Sequence, residues 1–306
     1  MSKLPPQPPR VKASVADTAF RAVVAAHIAG ANLVEAIGLS GGVSADVYRL
    51  VIEEPGKPCR TVVMRIHGPN HNGHPAALEF ELLRALTGLP ICAPRALALD
   101  ESLRYIPHPF LILDHIDGEI AVLNDAVDRR IMKMAQLLAL IHSVPIPSFP
   151  LLPIRNDPLP ELFDYLPLDR EFDALRHGLS TIGNSPCAGV PALLHGDFWA
   201  GNLLWRGEDL VGVLDWEDAA CGDPLSDVAC TALELRYVVG SDGAERFLQA
   251  YQGLKPLDRR RLALWQLYVA AAANHAMGSW GLEANREAHM RTTALASIRE
   301  ASRLVI

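Results

Sequence analysis

The sequence predicts an α+β fold in two lobes, a five-stranded antiparallel sheet with one helix followed by a mostly helical second half. Three observations carry this expectation. Short β-prone runs separated by Gly, Pro and polar turns crowd residues 33–113. Apolar residues recur at helical spacing through much of the chain beyond position 127. At 306 residues, half of them hydrophobic, the chain also exceeds the length at which one core usually keeps growing.

Residues 14–30 read as a helix, with Asp17 or Ser14 as its cap and Gly30 as its stop. Leu33 to Leu39 reads as a strand running into Ser40-Gly41-Gly42-Val43-Ser44, and Val47 to Glu53 as a second. Pro55-Gly56-Lys57-Pro58 then turns the chain into a third strand, Thr61 to His67. A polar loop from His67 to Pro75 leads to a helix over about 76–87, with Leu78, Leu82, Leu83 and Leu86 on one face. Pro90 and Pro94 break the chain before two short strands, Ala96 to Leu99 and Phe110 to Leu113.

Sheet gives way to helix near Asp114 to Gly118. The expected organisation is therefore a flexible Pro-rich leader at 1–13, a first lobe at 14–115 and a helical second lobe at 116–306. Val127 to His142 carries Ile131, Met134, Ala135, Leu138 and Ile141 at helical spacing. Prolines between 145 and 160 oppose regular structure, and a helix is expected over 161–178. Further helices are expected near 225–237, 243–253, 257–278 and 284–303.

The chemistry concentrates in His195-Gly196-Asp197-Phe198-Trp199-Ala200-Gly201-Asn202, with Asp215 thirteen residues further on. Val190 to Leu194 before it, Leu203 to Trp205 and Leu210 to Leu214 after it all read as short strands, so the polar groups sit on or beside tight hairpins. This order and spacing suit phosphoryl transfer: Asp197 orients an attacking hydroxyl and takes its proton, while Asn202 and Asp215 hold magnesium on nucleotide phosphates. Glu217, two residues after Asp215, shares its face on an extended segment and is a further candidate ligand. His195, following an apolar strand, reads as a brace for the loop rather than a proton carrier.

HGDFWAGN followed by LDWEDAACGDPLSDVA resembles the signature of the aminoglycoside phosphotransferase and choline kinase family, small-molecule kinases with a protein-kinase-like bilobal fold. The resemblance is strongest over 190–232 and extends over roughly 30–300. It implies transfer of the γ-phosphate of ATP, with GTP as an alternative donor, to a hydroxyl of a small molecule. Ser40, Gly41, Gly42 and Ser44 would then lie in the loop that meets the phosphates. Arg65 stands where kinases place a phosphate-gripping lysine, a departure that keeps the charge and changes the geometry. Its expected partner is Glu79, with Glu81 as competitor. Asp114 and Ile116 belong to the expected interlobe segment whose backbone meets the purine edge. The resemblance further implies that Asp227 braces the catalytic loop. A regulator that binds nucleotide without catalysis is the alternative, motivated by Arg65 and the imperfect glycine loop.

Other classes fit poorly. A net charge of −7 argues against a nucleic-acid partner. No run of eighteen apolar residues exists, so no membrane span is expected. Five scattered cysteines without a CxxC pair fit the reduced thiols of a cytoplasm. No Gly-x-Ser-x-Gly elbow supports a hydrolase. His67, His71 and His74 lack the Cys or carboxylate neighbours in sequence that complete a metal set. The acids Asp157, Glu161, Asp164, Asp169, Glu171 and Asp173 are interspersed with Arg155, Arg170 and Arg176 and read as a solvated face. From Asp215 the chain reaches the next helix by about Asp227, which leaves no room for the long segment that docks a protein substrate.

Overall fold

A computed structural model describes residues 15, 17–39, 45–68, 71, 73–121, 127–146, 151–187 and 189–306. The leader expected at 1–13 and the possible cap Ser14 lie outside the described residues. The chain forms two compact units, one of Met1–Gly118 with Val211–Glu217, the other of Glu119–Leu210 with Asp218–Ile306. The expected division assigned all of 116–306 to one lobe. Residues 211–217 instead belong with the first unit, a grouping set by long-range contacts that leave no mark on local composition.

The first unit runs α1 (Asp17–His27), β1 (Asn32–Leu39), β2 (Asp46–Glu53), β3 (Arg60–Ile66), α2 (Ala76–Leu86), β4 (Ala96–Asp100) and β5 (Phe110–Asp114). Its sheet has the order β1-β2-β3-β5-β4 and every adjacent pair is antiparallel. Val62, Met64 and Ile66 of β3 are buried with Leu50 and Ile52 of β2, Phe110 and Ile112 of β5, and Phe20, Val23 and Val24 of α1. Successive strand residues face opposite ways, so Arg65 points away from that core. On α2, Ala76, Glu79, Leu83 and Leu86 form one buried stripe at helical spacing. A carboxylate therefore occupies a position that the pattern otherwise gives to apolar residues.

The second unit contains β6 (Glu119–Ile120), α3 (Val127–Ile141), β7 (Ile154–Arg155), α4 (Leu159–Tyr165), α5 (Asp173–Ile182), β8 (Ala192–Leu194) and β9 (Leu203–Arg206). Next comes β10 (Asp209–Val213), within which the chain crosses into the first unit. After its return come β11 (Ala220–Gly222), α6 (Leu225–Gln252), α7 (Arg259–Ala276) and α8 (Ala284–Val305). Strand β6 pairs antiparallel with β9, while β11 lies between β7, which is parallel to it, and β8, which is antiparallel. Among the described residues, no helix is long and apolar enough to cross a membrane.

The single helix expected over 161–178 is two helices, α4 and α5, joined through a 3₁₀ turn at Arg170–Phe172. The cause is Pro167, because the residue before a proline is excluded from helical geometry and Leu166 is extended (φ −59°, ψ 132°). Regular structure also enters the proline-rich stretch, through β7 and through α4, which tolerates Pro160 in its first turn. Conversely, α6 is continuous except at Gly240 (φ 77°, ψ −177°), between the two segments expected there.

A half-buried arginine ties the loops of this unit to α7. Arg261 Nε donates to Asp223 Oδ2 at 2.6 Å, Nη2 to the Asn156 carbonyl at 2.5 Å, and Nη1 to the Ser185 hydroxyl at 2.9 Å. Trp265 Nε1 donates to the same Asp223 oxygen at 2.7 Å. Asp223 is 1% exposed, so removing its cation leaves a charge in low dielectric. Arg261→Met is expected to destabilise the protein by about 3–5 kcal/mol, read as a lower urea midpoint.

Candidate active site

The loop after β8 is held from beneath by one carboxylate. Asp227, 1% exposed at the start of α6, accepts the His195 N–H at 2.7 Å on Oδ2 and the Gly196 N–H at 3.0 Å on Oδ1. Burial alone would raise its pKa, yet His142 and these loop contacts pull it below its ordinary value. His142 Nε2 lies 3.2 Å from Oδ2. Gly196 adopts φ 89°, and a Cβ there would meet the Asp218 carbonyl oxygen at 2.0 Å, so the His-Gly-Asp turn requires glycine. His195 is fully buried, and its Nδ1 accepts the Asp197 N–H at 3.2 Å.

Asp197 is half-buried and its side chain is fixed by two donors. Asn202 Nδ2 reaches Asp197 Oδ2 at 3.0 Å and the Asp197 carbonyl at 2.9 Å, and Trp199 Nε1 reaches Oδ2 at 3.2 Å. Asn202 stands at the end of a 3₁₀ turn, Ala200–Asn202, that leads straight into β9. The Asp197 carboxylate is thereby held in one orientation. Close by on α6 is Glu234, whose carboxyl is pushed up to about 8 by burial and by Asp197.

In the first unit Arg65, 8% exposed, faces three carboxylates. Its Nη2 lies 2.8 Å from Asp215 Oδ1 and also bonds Glu217, while Nε lies 3.4 Å from Glu79 Oε2. Glu81, the competing partner on α2, is exposed. Asp215 has φ 63°, a left-handed conformation that a non-glycine residue adopts only under local constraint. His67 Nε2 is 3.0 Å from Glu79 Oε2, His71 Nδ1 is 3.4 Å from Glu217 Oε2, and the two imidazoles lie 4.0 Å apart, tilted by 32°. Burial would lower the His71 pKa, but bonding to Glu217 and to the His74 carbonyl raises it.

Asp197 and Asn202 thus come together in the second unit, and Arg65, Glu79, Asp215 and Glu217 in the first. The loop candidates Ser40, Gly41, Gly42 and Ser44 lie outside the described residues. Asp114 ends β5 and its carboxylate pairs with Arg95 at 2.6 Å, while Ile116 is half-buried. His67 and His71 belong to the ion cluster, and among the described residues no group of three or more His, Cys, Asp or Glu is arranged to hold a metal. Glu234 and His142 escaped the sequence reading. His142 had one usable signal, a polar residue ending an otherwise apolar helical stripe.

The profile of the phosphotransferase enzyme family matches residues 35–265. The chain belongs to that family. It shares its fold with solved phosphotransferases. A candidate aminoglycoside phosphotransferase from Ralstonia eutropha JMP134 superposes with a TM-score of 0.69 at 18% identity, covering 94% of this chain and 98% of that one. Aminoglycoside phosphotransferase APH(4)-Ia, solved as a thermostable mutant with AMP-PNP and hygromycin B, gives 0.64 at 15% identity, with coverage of 92% and 98%. A macrolide 2′-phosphotransferase type I gives 0.60 at 17% identity, with coverage of 90% and 96%. In sequence, 53% of the chain matches mouse acyl-CoA dehydrogenase family member 10 at 27% identity and chicken family member 11 at 28%. Those matches take in only 17% and 23% of the two relatives.

Burial would raise the Glu79 pKa, but Arg65 and then His67 bring it below 4.5, so its stabilising contribution is present above that pH and lost as pH falls. Arg65→Met should therefore lower the melting temperature most near neutral pH, with the deficit narrowing below about pH 4 as carboxylates protonate; circular dichroism melts across pH check this. Glu234 has the opposite sign. Its raised pKa means that stability falls as pH rises from 4.5 to about 8. Glu234→Gln should flatten that part of the urea-midpoint profile.

Proposed function

We propose that the chain transfers the γ-phosphate of ATP, as its magnesium complex, to a hydroxyl of a small molecule. The observation that carries this reading is the fixed Asp197 carboxylate, held by Asn202 and Trp199 above a loop anchored to a buried aspartate. Asp197 orients the acceptor hydroxyl and receives its proton as the acceptor oxygen bonds to the γ-phosphorus and the bond to the departing ADP breaks. Because the transition state is loose, positioning contributes more than basicity. With its amide nitrogen on Asp197, Asn202 offers Oδ1 as an oxygen donor.

The charge balance of the first unit suits a divalent cation. Three carboxylates, Glu79, Asp215 and Glu217, surround one guanidinium, an excess of negative charge before the histidines are counted. Magnesium prefers one or two protein oxygens plus phosphates and water, so no all-protein cage is required. Asp215 and Asn202 would hold it, with Glu217 as a further ligand, and when bound it would neutralise charge on the transferring phosphates. Arg65 takes the place of the phosphate-gripping lysine and pairs with Glu79. The glycine-bearing segment at 40–44 and the backbone at Asp114 and Ile116 are assigned to the nucleotide.

The acceptor is a small hydroxylated compound of the aminoglycoside, macrolide, amino-alcohol or sugar type, as the solved relatives with hygromycin B and kanamycin suggest. ADP release from magnesium ATP in the presence of such a panel tests the reading. Asp197→Ala should cut turnover by 100-fold or more with nucleotide affinity within about threefold, in the range of general-base and positioning losses. Asp215→Ala should weaken magnesium-nucleotide binding itself. Identical binding defects in both would refute this division of roles, and nucleotide binding without turnover for any acceptor would favour a non-catalytic regulator.

A further inference from the structure

Asp227 carries the loop, and its own orientation is set by groups further inside the second unit. His142, at the end of α3, lies with Nε2 3.2 Å from Asp227 Oδ2 and Nδ1 2.7 Å from the Tyr251 hydroxyl. All three side chains are buried, Tyr251 at 1% exposure and His142 at 8%. Asp227 is a carboxylate, which only accepts, so Nε2 must donate and Nδ1 is left to accept. The Tyr251 pKa is raised by burial and by Asp227 and Asp223, so its hydroxyl keeps its proton and donates it toward Nδ1.

We infer that Tyr251 and His142 are positioning residues of the phosphotransferase, a hydrogen-bond relay from Tyr251 through His142 to Asp227 that fixes the catalytic loop. Tyr251 selects the His142 tautomer, with the proton on Nε2. The other tautomer would set a lone pair against the Asp227 carboxylate and push it off the His195 and Gly196 amides. Thr231 anchors the same loop further on, through its hydroxyl to the Phe198 carbonyl at 2.7 Å. The relay depends on the break in α6. Asp227 stands in the first turn and Tyr251 in the last, and Gly240 interrupts the helix between them. In one unbroken helix those 24 residues would separate the two by roughly 36 Å, yet one imidazole bonds both.

This inference rests on the proposed phosphotransfer for its kinetic consequence but not for its physical one. The test uses the full chain with Tyr251→Phe, which removes one oxygen, and with His142→Gln and His142→Leu. Amide hydrogen exchange at His195 and Gly196 is expected to be at least tenfold faster in Tyr251→Phe and His142→Leu, with α7 amides unchanged. His142→Gln, which retains a donor and an acceptor, should restore most of the protection. With magnesium ATP and kanamycin, hygromycin B, erythromycin, glucose and choline as acceptors, kcat should fall three- to tenfold in Tyr251→Phe while KM for ATP stays within twofold. Exchange at His195 and Gly196 within twofold of wild type in Tyr251→Phe overturns the relay, as does equal loss in the Gln and Leu variants. Wild-type protein inactive with every acceptor would count against the phosphotransfer reading alone, because exchange still decides the relay.

Discussion

An ionised carboxylate enclosed in protein is tolerated only where enough donors converge on it, and the second unit is arranged around one such group. Asp227 takes two successive backbone amides of the loop after β8 and an imidazole. The exchange is mutual: the donors offset the desolvation of the carboxylate, and the carboxylate fixes the path of a loop with little regular structure of its own. Gly196 supplies the left-handed turn that presents both amides to the same side chain. Asp197 is thereby held at a defined place, and Asn202 and Trp199 set its rotamer. Rigidity at Asp197 is therefore inherited from a buried electrostatic contact one layer below.

The first unit solves a related problem with the opposite sign. Arg65 is buried beside three carboxylates, and its guanidinium can address Glu79 through Nε and Asp215 and Glu217 through Nη2. A lysine ammonium is a compact point charge without that fork. The arginine here is thus matched to a site with a carboxylate on each of two sides. Glu161, Asp164, Asp169, Glu171 and Asp173, expected to form a solvated face, are exposed, and two acids of that stretch also hold local structure. Asp157 accepts the Leu159 and Ser185 amides, and Glu171 pairs with Arg299.

Much of this was legible because it is local. The register of α2 with Leu83 and Leu86 favours Glu79 over Glu81 from spacing, whereas Arg65 stood out through the resemblance of β3 to the kinase strand that carries a lysine. The HGDFWAGN run announces a tight turn carrying an acid and an amide. The split of α4 from α5 at Pro167 was equally local and was overlooked, because the apolar period continues across it.

Sequence by itself determined the α+β class, the strands and helices of the first unit and the identity of the turn that carries Asp197, since periodicity and turn chemistry act between near neighbours, and its short motifs carried the resemblance to the family. Tertiary structure alone decided that residues 211–217 join the first unit and that His67 and His71 enter the Arg65 cluster. It also decided that His142 and Tyr251 stand behind Asp227 and that burial and Asp197 raise the Glu234 carboxyl pKa. Each of these depends on groups far apart in the chain meeting in a low-dielectric interior, where pairing and burial set charge state, and no local pattern encodes that meeting.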